Sequence, residues 1–368
     1  MISSYDINGV KFVMSKDELT YAEVIEDFPN AKRIYILTYN ISKDKTALLK
    51  AVGNSQDDTE ICIVSNIPNR WQTYFGDKYA SAAKKNISLY KSKLSPEKIS
   101  EKAETYFCFA NHAKIIMTDN IVYVGSSNFS EESANNFETG FISRDSGFID
   151  YLEDVIFPWI IENSVPHDTD DELLFLNTAI RQSIGTFMNL YEELHQVFYR
   201  LADHRGHEIW YYNDTENLFN PKHIEAVDEI CTNYLTLLER INMVFNMPLV
   251  QEENVVNLDD DISATEDIVE RIKNLLYDCL YELAHYDEEK CVNQYIDEHY
   301  AEAYDENLDE YMEKGMQLAT DGFYELAQFA HDYADELLEC ISELKEVSQN
   351  VLVRFEKLPF NKIKIDNT

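Results

Sequence analysis

Cysteine is scarce and scattered. The six in 368 residues, Cys62, Cys108, Cys231, Cys279, Cys291 and Cys340, make no CxxC pair and no metal-finger spacing, which excludes a zinc finger and a CxxC redox pair. They read as reduced thiols of a cytoplasmic protein, since the first residues also lack the apolar stretch of a signal peptide. Long hydrophobic runs are missing too. The apolar segment at 155–161 stops far short of the roughly 18 residues that cross a bilayer, so no membrane span is expected. Basic residues are the third shortage: with 31 Lys and Arg against 68 Asp and Glu, the formal net charge of −37 would repel a nucleic-acid backbone if it were spread evenly.

It is not spread evenly. Residues 1–165 hold 17 of the basic and 23 of the acidic side chains, which leaves 14 and 45 for residues 166–368. Hydrophobic residues make up 45% of the chain, with 24 Tyr and 19 Phe, enough to fill a core despite the charge. The length predicts two domains, and Pro158, Pro166 and the polar run 167–172 place their boundary after residue 165. In the first part, β-branched and aromatic residues cluster at 33–41, 60–65, 87–91 and 106–109, with connections long enough for crossover helices. That pattern predicts an α/β domain with a partly parallel sheet. From residue 173 onward apolar residues recur three and four apart, over 173–202, 221–246, 265–286, 290–316 and 321–355, which predicts an acidic, all-helical bundle.

Residues 111–130 read NHAKIIMTDNIVYVGSSNFS. Their pattern predicts two strands, 112–118 and 121–124, folded about the turn-forming pair Asp119 and Asn120. His112 and Lys114, two apart on a strand, then emerge on one face, and Gly125, Ser126 and Asn128 follow the return strand. An imidazole that can be phosphorylated, an ammonium opposite a phosphate oxygen, and small hydroxyl and amide donors make a phosphate-handling site that needs no metal.

This segment resembles the HKD motif of the phospholipase D superfamily, in which His-x-Lys is followed by Asp, then Gly-Ser, then Asn. His112, Lys114, Asp119, Gly125, Ser126 and Asn128 fill those places, with one residue fewer between Asp119 and Gly125, as a tighter hairpin would give. The resemblance covers about residues 30–160 and implies a phospholipase D-like mixed sheet flanked by helices. It further implies catalytic roles for His112, Lys114, Asp119, Ser126 and Asn128, and points to Glu138 as the carboxylate that fixes the His112 tautomer. No second His-x-Lys with a following Gly-Ser occurs, whereas the family's chemistry uses two histidines, so the resemblance implies a homodimer paired through the N-terminal domain. The implied mechanism passes through a phosphohistidine without a cofactor or metal.

A nuclease is the expected activity, because the domain is compact and carries a single motif. Lys84, Lys85, Lys91, Lys93, Lys98 and Lys102 form the one basic stretch, and the first four are candidates for tracking a nucleic-acid backbone. A phospholipid or small-diester phosphodiesterase is the alternative, since the motif reports phosphoryl chemistry and not the leaving group. A third reading makes the chain an assembly protein whose acidic bundle, 166–368, regulates the site or docks a protein partner, with the site silent until docking. Asp259, Asp261, Ser263, Thr265, Asp267 and Glu270 have the spacing of a calcium loop, but Ala264 stands where the sharp turn needs Gly, so a solvated acidic loop is expected there.

Overall fold

The computed structural model describes residues 2–7, 9–68, 77–204, 207–252, 257–299 and 308–360 with Lys362, Ile363 and Ile365. Two compact units account for the chain. The first holds the described residues up to Thr178 and takes back those from Pro359 on; the second spans Ala179–Leu358.

The first unit is built on one mixed sheet. Its strands are β1 (Ile2–Ile7), β2 (Val10–Ser15), β3 (Arg33–Thr38), β4 (Glu60–Ser65), β5 (Ala103–Phe107), β6 (Ile115–Thr118), β7 (Val122–Gly125), β8 (Glu138–Ser143) and β9 (Val165–Pro166). In space they run β1-β2-β8-β7-β6-β3-β4-β5-β9. β3, β4 and β5 are parallel, joined by crossovers through the helices Ala47–Gly53 and Asp77–Lys93, and β6, β7 and β8 form an antiparallel meander beside β3. Ile34, Ile36 and Leu37 on β3 and Ile61, Ile63 and Val64 on β4 are buried in near-continuous runs, as strands covered on both faces require. On one face Leu37, Val64, Ile115 and Val122 meet Ile149, Leu152 and Phe157 from the helical stretch that follows β8. Pairing of Pro166 with Tyr106 carries the sheet past the boundary expected at 165, because a two-residue edge strand is too short to leave a periodic signal.

One element has the wrong period in the sequence reading. Residues 87–91, expected as a strand, lie inside the helix Asp77–Lys93, where Ala83, Ile87 and Tyr90 are buried at spacings of four and three. Leu94, just beyond, extends the same face.

Helices Asp171–Phe198, Pro221–Phe245, Asp259–Asn274, Glu288–Glu298 and Leu308–Phe355 match the expected helical part. Asn220 and Asp287 cap two of them through their side chains. Three details differ. Strands β10 (Tyr199–His204) and β11 (His207–Tyr212) form an antiparallel hairpin where only helix was expected, and its aromatic and β-branched residues explain the strand; Gly206, in the break between the expected helices 173–202 and 221–246, lies outside the described residues. The helix expected from residue 265 begins earlier, at Asp259, so the acidic stretch expected to precede it as a loop is helical, and its first turn carries Asp259, Asp260 and Asp261, a favourable place for negative charge. Finally, the helix expected to end at Met316 runs through to Phe355, since Ala319, Phe323 and Ala327 keep one buried face in register across the supposed break.

Candidate active site

One edge of the sheet collects the motif. The C-terminal ends of β3, β4 and β7 and the N-terminal ends of β6 and β8 all lie there, because Leu37 is opposite Ile115, Ile115 opposite Val124, and Gly125 opposite Gly140. His112 and Lys114 do not sit within β6 as expected. They occupy the extended segment that leads into it, and two asparagines hold that segment in place. Asn66, just past β4, donates to the carbonyls of Phe109 and Asn111, each at 3.0 Å. Asn111 donates to the carbonyl of Thr38 at 2.8 Å and accepts from the Ala113 amide at 2.8 Å, so the backbone on both sides of His112 is pinned to the ends of two buried strands.

His112 is exposed, and its ring lies 4.8 Å from that of Tyr39. The Lys114 ammonium sits 5.5 Å from the centre of the same tyrosine ring, 3.3 Å from His112 Nδ1, and donates to the His112 carbonyl. Lys114 is 8% exposed, and burial holds its pKa below the usual lysine value while the charge of Glu138 opposes that shift. Glu138 is buried and accepts from the Ser126 hydroxyl; Ser126 Oγ in turn accepts from the Thr139 amide at 3.0 Å. The Asn128 carbonyl accepts from Tyr21 at 2.9 Å, whereas its side-chain Oδ1, also buried, has no hydrogen-bond partner among the described residues. A buried acceptor left open two residues along from Ser126 suits a site awaiting a polar ligand.

Two glycines make the edge close. A Cβ on Gly125 would stand 2.2 Å from the Tyr123 hydroxyl oxygen and 2.4 Å from the Thr139 carbonyl oxygen; one on Gly140 would stand 2.4 Å from the Tyr123 ring and 2.7 Å from the Val124 carbonyl oxygen. Tyr123 lies across both, donating to the Thr139 carbonyl and accepting from the Ser127 amide, each at 3.1 Å. The glycines thus let Tyr123 support the turn that presents Ser126 and Asn128.

Several expected roles are not seen in a single copy. Within one chain Glu138 is bonded to Ser126, and the group at His112 Nδ1 is Lys114 rather than a carboxylate. Asp119 stands at the opposite end of β6, roughly 16 Å along the strand from Lys114, where its carboxylate accepts from the amides of Lys32 at 2.9 Å and Arg33 at 3.3 Å. It ties the hairpin to the start of β3 and is a positioning residue. Replacing Asp119 by Ala is expected to lower stability by about 1 kcal/mol and leave turnover within a few-fold, while Lys114→Ala lowers kcat by about 10²-fold or more. Urea melts and steady-state rates on bis(p-nitrophenyl) phosphate test the pair, and equal losses of turnover would contradict this assignment.

Three of the four candidate lysines have partners within the chain. Lys84 pairs with Glu172 at 3.1 Å, Lys91 pairs with Asp171 at 2.6 Å and also reaches the Thr169 carbonyl, and Lys93 donates to the carbonyls of Ser42 and Lys45. Of the four candidates, Lys85 is exposed and shows no such contact among the described residues. Helical spacing is the reason. It points Lys84 and Lys91, seven residues apart, along one face toward the acidic start of the helix Asp171–Phe198. Asn66, Asn111, Tyr39 and Gly140 were not picked out from sequence. Only Asn111 adjoins the motif, and the others reach it through pairing between strands distant in sequence.

Residues 24–157 match the family described as cardiolipin synthase, PLD-like domain. This part of the chain belongs to the phospholipase D superfamily. Among solved structures, the phospholipase D family member Nuc from Salmonella typhimurium is similar at 16% identity and a TM-score of 0.31, covering 43% of this chain and 96% of Nuc. NucT from Helicobacter pylori is similar at 16% identity and a TM-score of 0.29, covering 43% of this chain and 99% of NucT. Phosphatidylserine synthase from Haemophilus influenzae Rd KW20 covers 80% of this chain and 72% of its own length at 11% identity and a TM-score of 0.35. No curated protein matches the chain. The phospholipase D-like domain lies within the first unit, and no helix among the described residues is long and apolar enough to cross a membrane.

Proposed function

We propose that the phospholipase D-like domain is a metal-independent phosphodiesterase that acts as a homodimer, and that its substrate is DNA or RNA. The observation that carries the reading is the gathering of His112, Lys114, Ser126, Asn128 and Glu138 on one sheet edge, with one imidazole supplied by the one motif. In the first step Nε2 of one His112 bonds to phosphorus and the bond to the leaving oxygen breaks, while His112 of a second copy gives that oxygen its proton. In the second step water loses a proton to the second His112, attacks phosphorus, and the P–N bond breaks. Lys114 of each copy, with Ser126 and Asn128, balances charge on the non-bridging oxygens. A nucleophilic Nε2 needs the ring proton on Nδ1, and Lys114 has no acceptor to offer there. The ammonium therefore turns to the substrate phosphate and a carboxylate takes its place, for which Glu138 of either copy is the candidate.

Two measurements test the reading. Cleavage of single-stranded DNA or RNA by the purified dimer is expected to survive EDTA, since lysines carry the charge-neutralising role; complete loss on chelation with recovery in Mg²⁺ would overturn it. In addition to the loss that follows when the acid His112 gives up its proton, a further fall of kcat/KM, absent from Lys114→Arg, should set in below the usual lysine range, because burial lowers the Lys114 pKa and the ammonium deprotonates as pH rises through it. A second reading, a phospholipid or other small diester, is favoured by the intramolecular partners of Lys84, Lys91 and Lys93, since a small diester needs no long cationic track. Parallel assays on oligonucleotides and on phospholipid vesicles separate the two.

A further inference from the structure

A cavity of about 470 Å³ opens in the same unit at the C-terminal ends of β3 and β4, where ligands bind in open α/β sheets. Asn40, Lys43 and Asp44 line it from the loop after β3, Asn86 and Tyr90 from the helix Asp77–Lys93, and Glu132 from the segment after β7. It adjoins the phosphate site through the backbone. Asn40 follows Tyr39, whose ring packs on His112, and a further wall, Ser130, lies two residues past Asn128. Thr38 Oγ1 joins these two walls, donating to the Asn40 carbonyl at 2.8 Å and accepting from the Phe129 amide at 2.9 Å.

The lining offers acceptors. Asn40 Oδ1 is buried with no hydrogen-bond partner among the described residues. Asn86 uses its amide nitrogen on the Pro68 carbonyl at 3.1 Å, which leaves its Oδ1 as an acceptor, and Asp44 and Glu132 add carboxylates. A second phosphate would meet two carboxylates there, with Lys43 to oppose them. An amino edge is the better fit, because carboxylates accept from the cytosine amine and carboxamides pair with the adenine edge, whereas thymine and uracil offer a single ring N–H flanked by two carbonyl oxygens that such acceptors would repel. Unstacked bases of single strands are read along these edges.

We propose that this cavity holds the base of a nucleotide next to the scissile phosphate, and that it prefers cytosine or adenine to thymine or uracil. The proposal rests on the nuclease reading above. Its test uses p-nitrophenyl esters of dCMP, dAMP and dTMP, in both the 5′- and 3′-linked series, with bis(p-nitrophenyl) phosphate as the base-free diester and the p-nitrophenyl ester of phosphoethanolamine as the amino-alcohol diester. For the dCMP or dAMP ester, kcat/KM is expected to exceed that of the dTMP ester by about tenfold, within the range of one base-edge contact. Asn40→Leu should bring that ratio to about one, and Asn40→Asp, which keeps an acceptor oxygen, should preserve it. Equal loss of the ratio in both variants overturns the assignment of Asn40 Oδ1 as the reading atom. Hydrolysis of every diester at similar rates overturns the base pocket and leaves the phosphodiesterase standing. A phosphoethanolamine ester that outruns all nucleotides assigns the cavity to an amino-alcohol and overturns the base, and hydrolysis of none of the esters overturns the activity and the pocket together.

Discussion

Replacing His112 by asparagine is expected to reduce diester hydrolysis to background, a loss of about 10⁴-fold or more, while the fold persists. The fold should persist because the His112 side chain is exposed and the bonds that pin its segment come from Asn66, Asn111 and Ala113. The loss should be complete because in the proposed mechanism one residue type serves both steps, as nucleophile in one copy and as acid and base in the other. Mixed dimers make the sharper measurement. A dimer with one wild-type His112 keeps a nucleophile without its acid, so it should trap a phosphohistidine on an ester with a good leaving group and turn over slowly. If separately tagged mixed dimers retained half the wild-type rate, each motif would be working alone and the shared site would be wrong.

Gly140→Ala is expected to cost about 3 kcal/mol of stability or more, measured by urea unfolding. Tyr123 is fully buried and held at its hydroxyl by Thr139 and Ser127, so its ring cannot yield to a methyl group at 2.4 Å without breaking those bonds, and the Val124 carbonyl at 2.7 Å is backbone. The effect should reach the site, since a displaced Tyr123 releases the turn at Ser126 and Asn128. A change below about 1 kcal/mol would show that the strands do not approach as closely as described.

Where sequence reading succeeded, it worked from short-range pattern. The runs of Ile, Val and Leu in β3 and β4 and the spacing of His112, Lys114, Gly125, Ser126 and Asn128 are local, and each needs only a few neighbouring residues to be seen. Ile87 and Tyr90 show the limit. A short apolar run fits a strand or a buried helix turn equally well, and burial of Ala83, Ile87 and Tyr90 along one face decides for the helix. That one reassignment places Lys84 and Lys91 on a helix face where they pair with Glu172 and Asp171.

From the linear order of residues alone came a phosphate-handling motif, its single copy, and an acidic helical segment after an α/β one, because residue identity, count and periodicity are properties of the chain itself. Partnership is not. Asn66 reaches Asn111, Tyr39 meets His112, Glu138 faces Ser126 and Lys114, and Asp119 is carried to the far end of β6, only after strands distant in sequence pair in a particular order. A sheet's order and register are set by which buried faces fit together, and that choice belongs to the packed core rather than to any one segment.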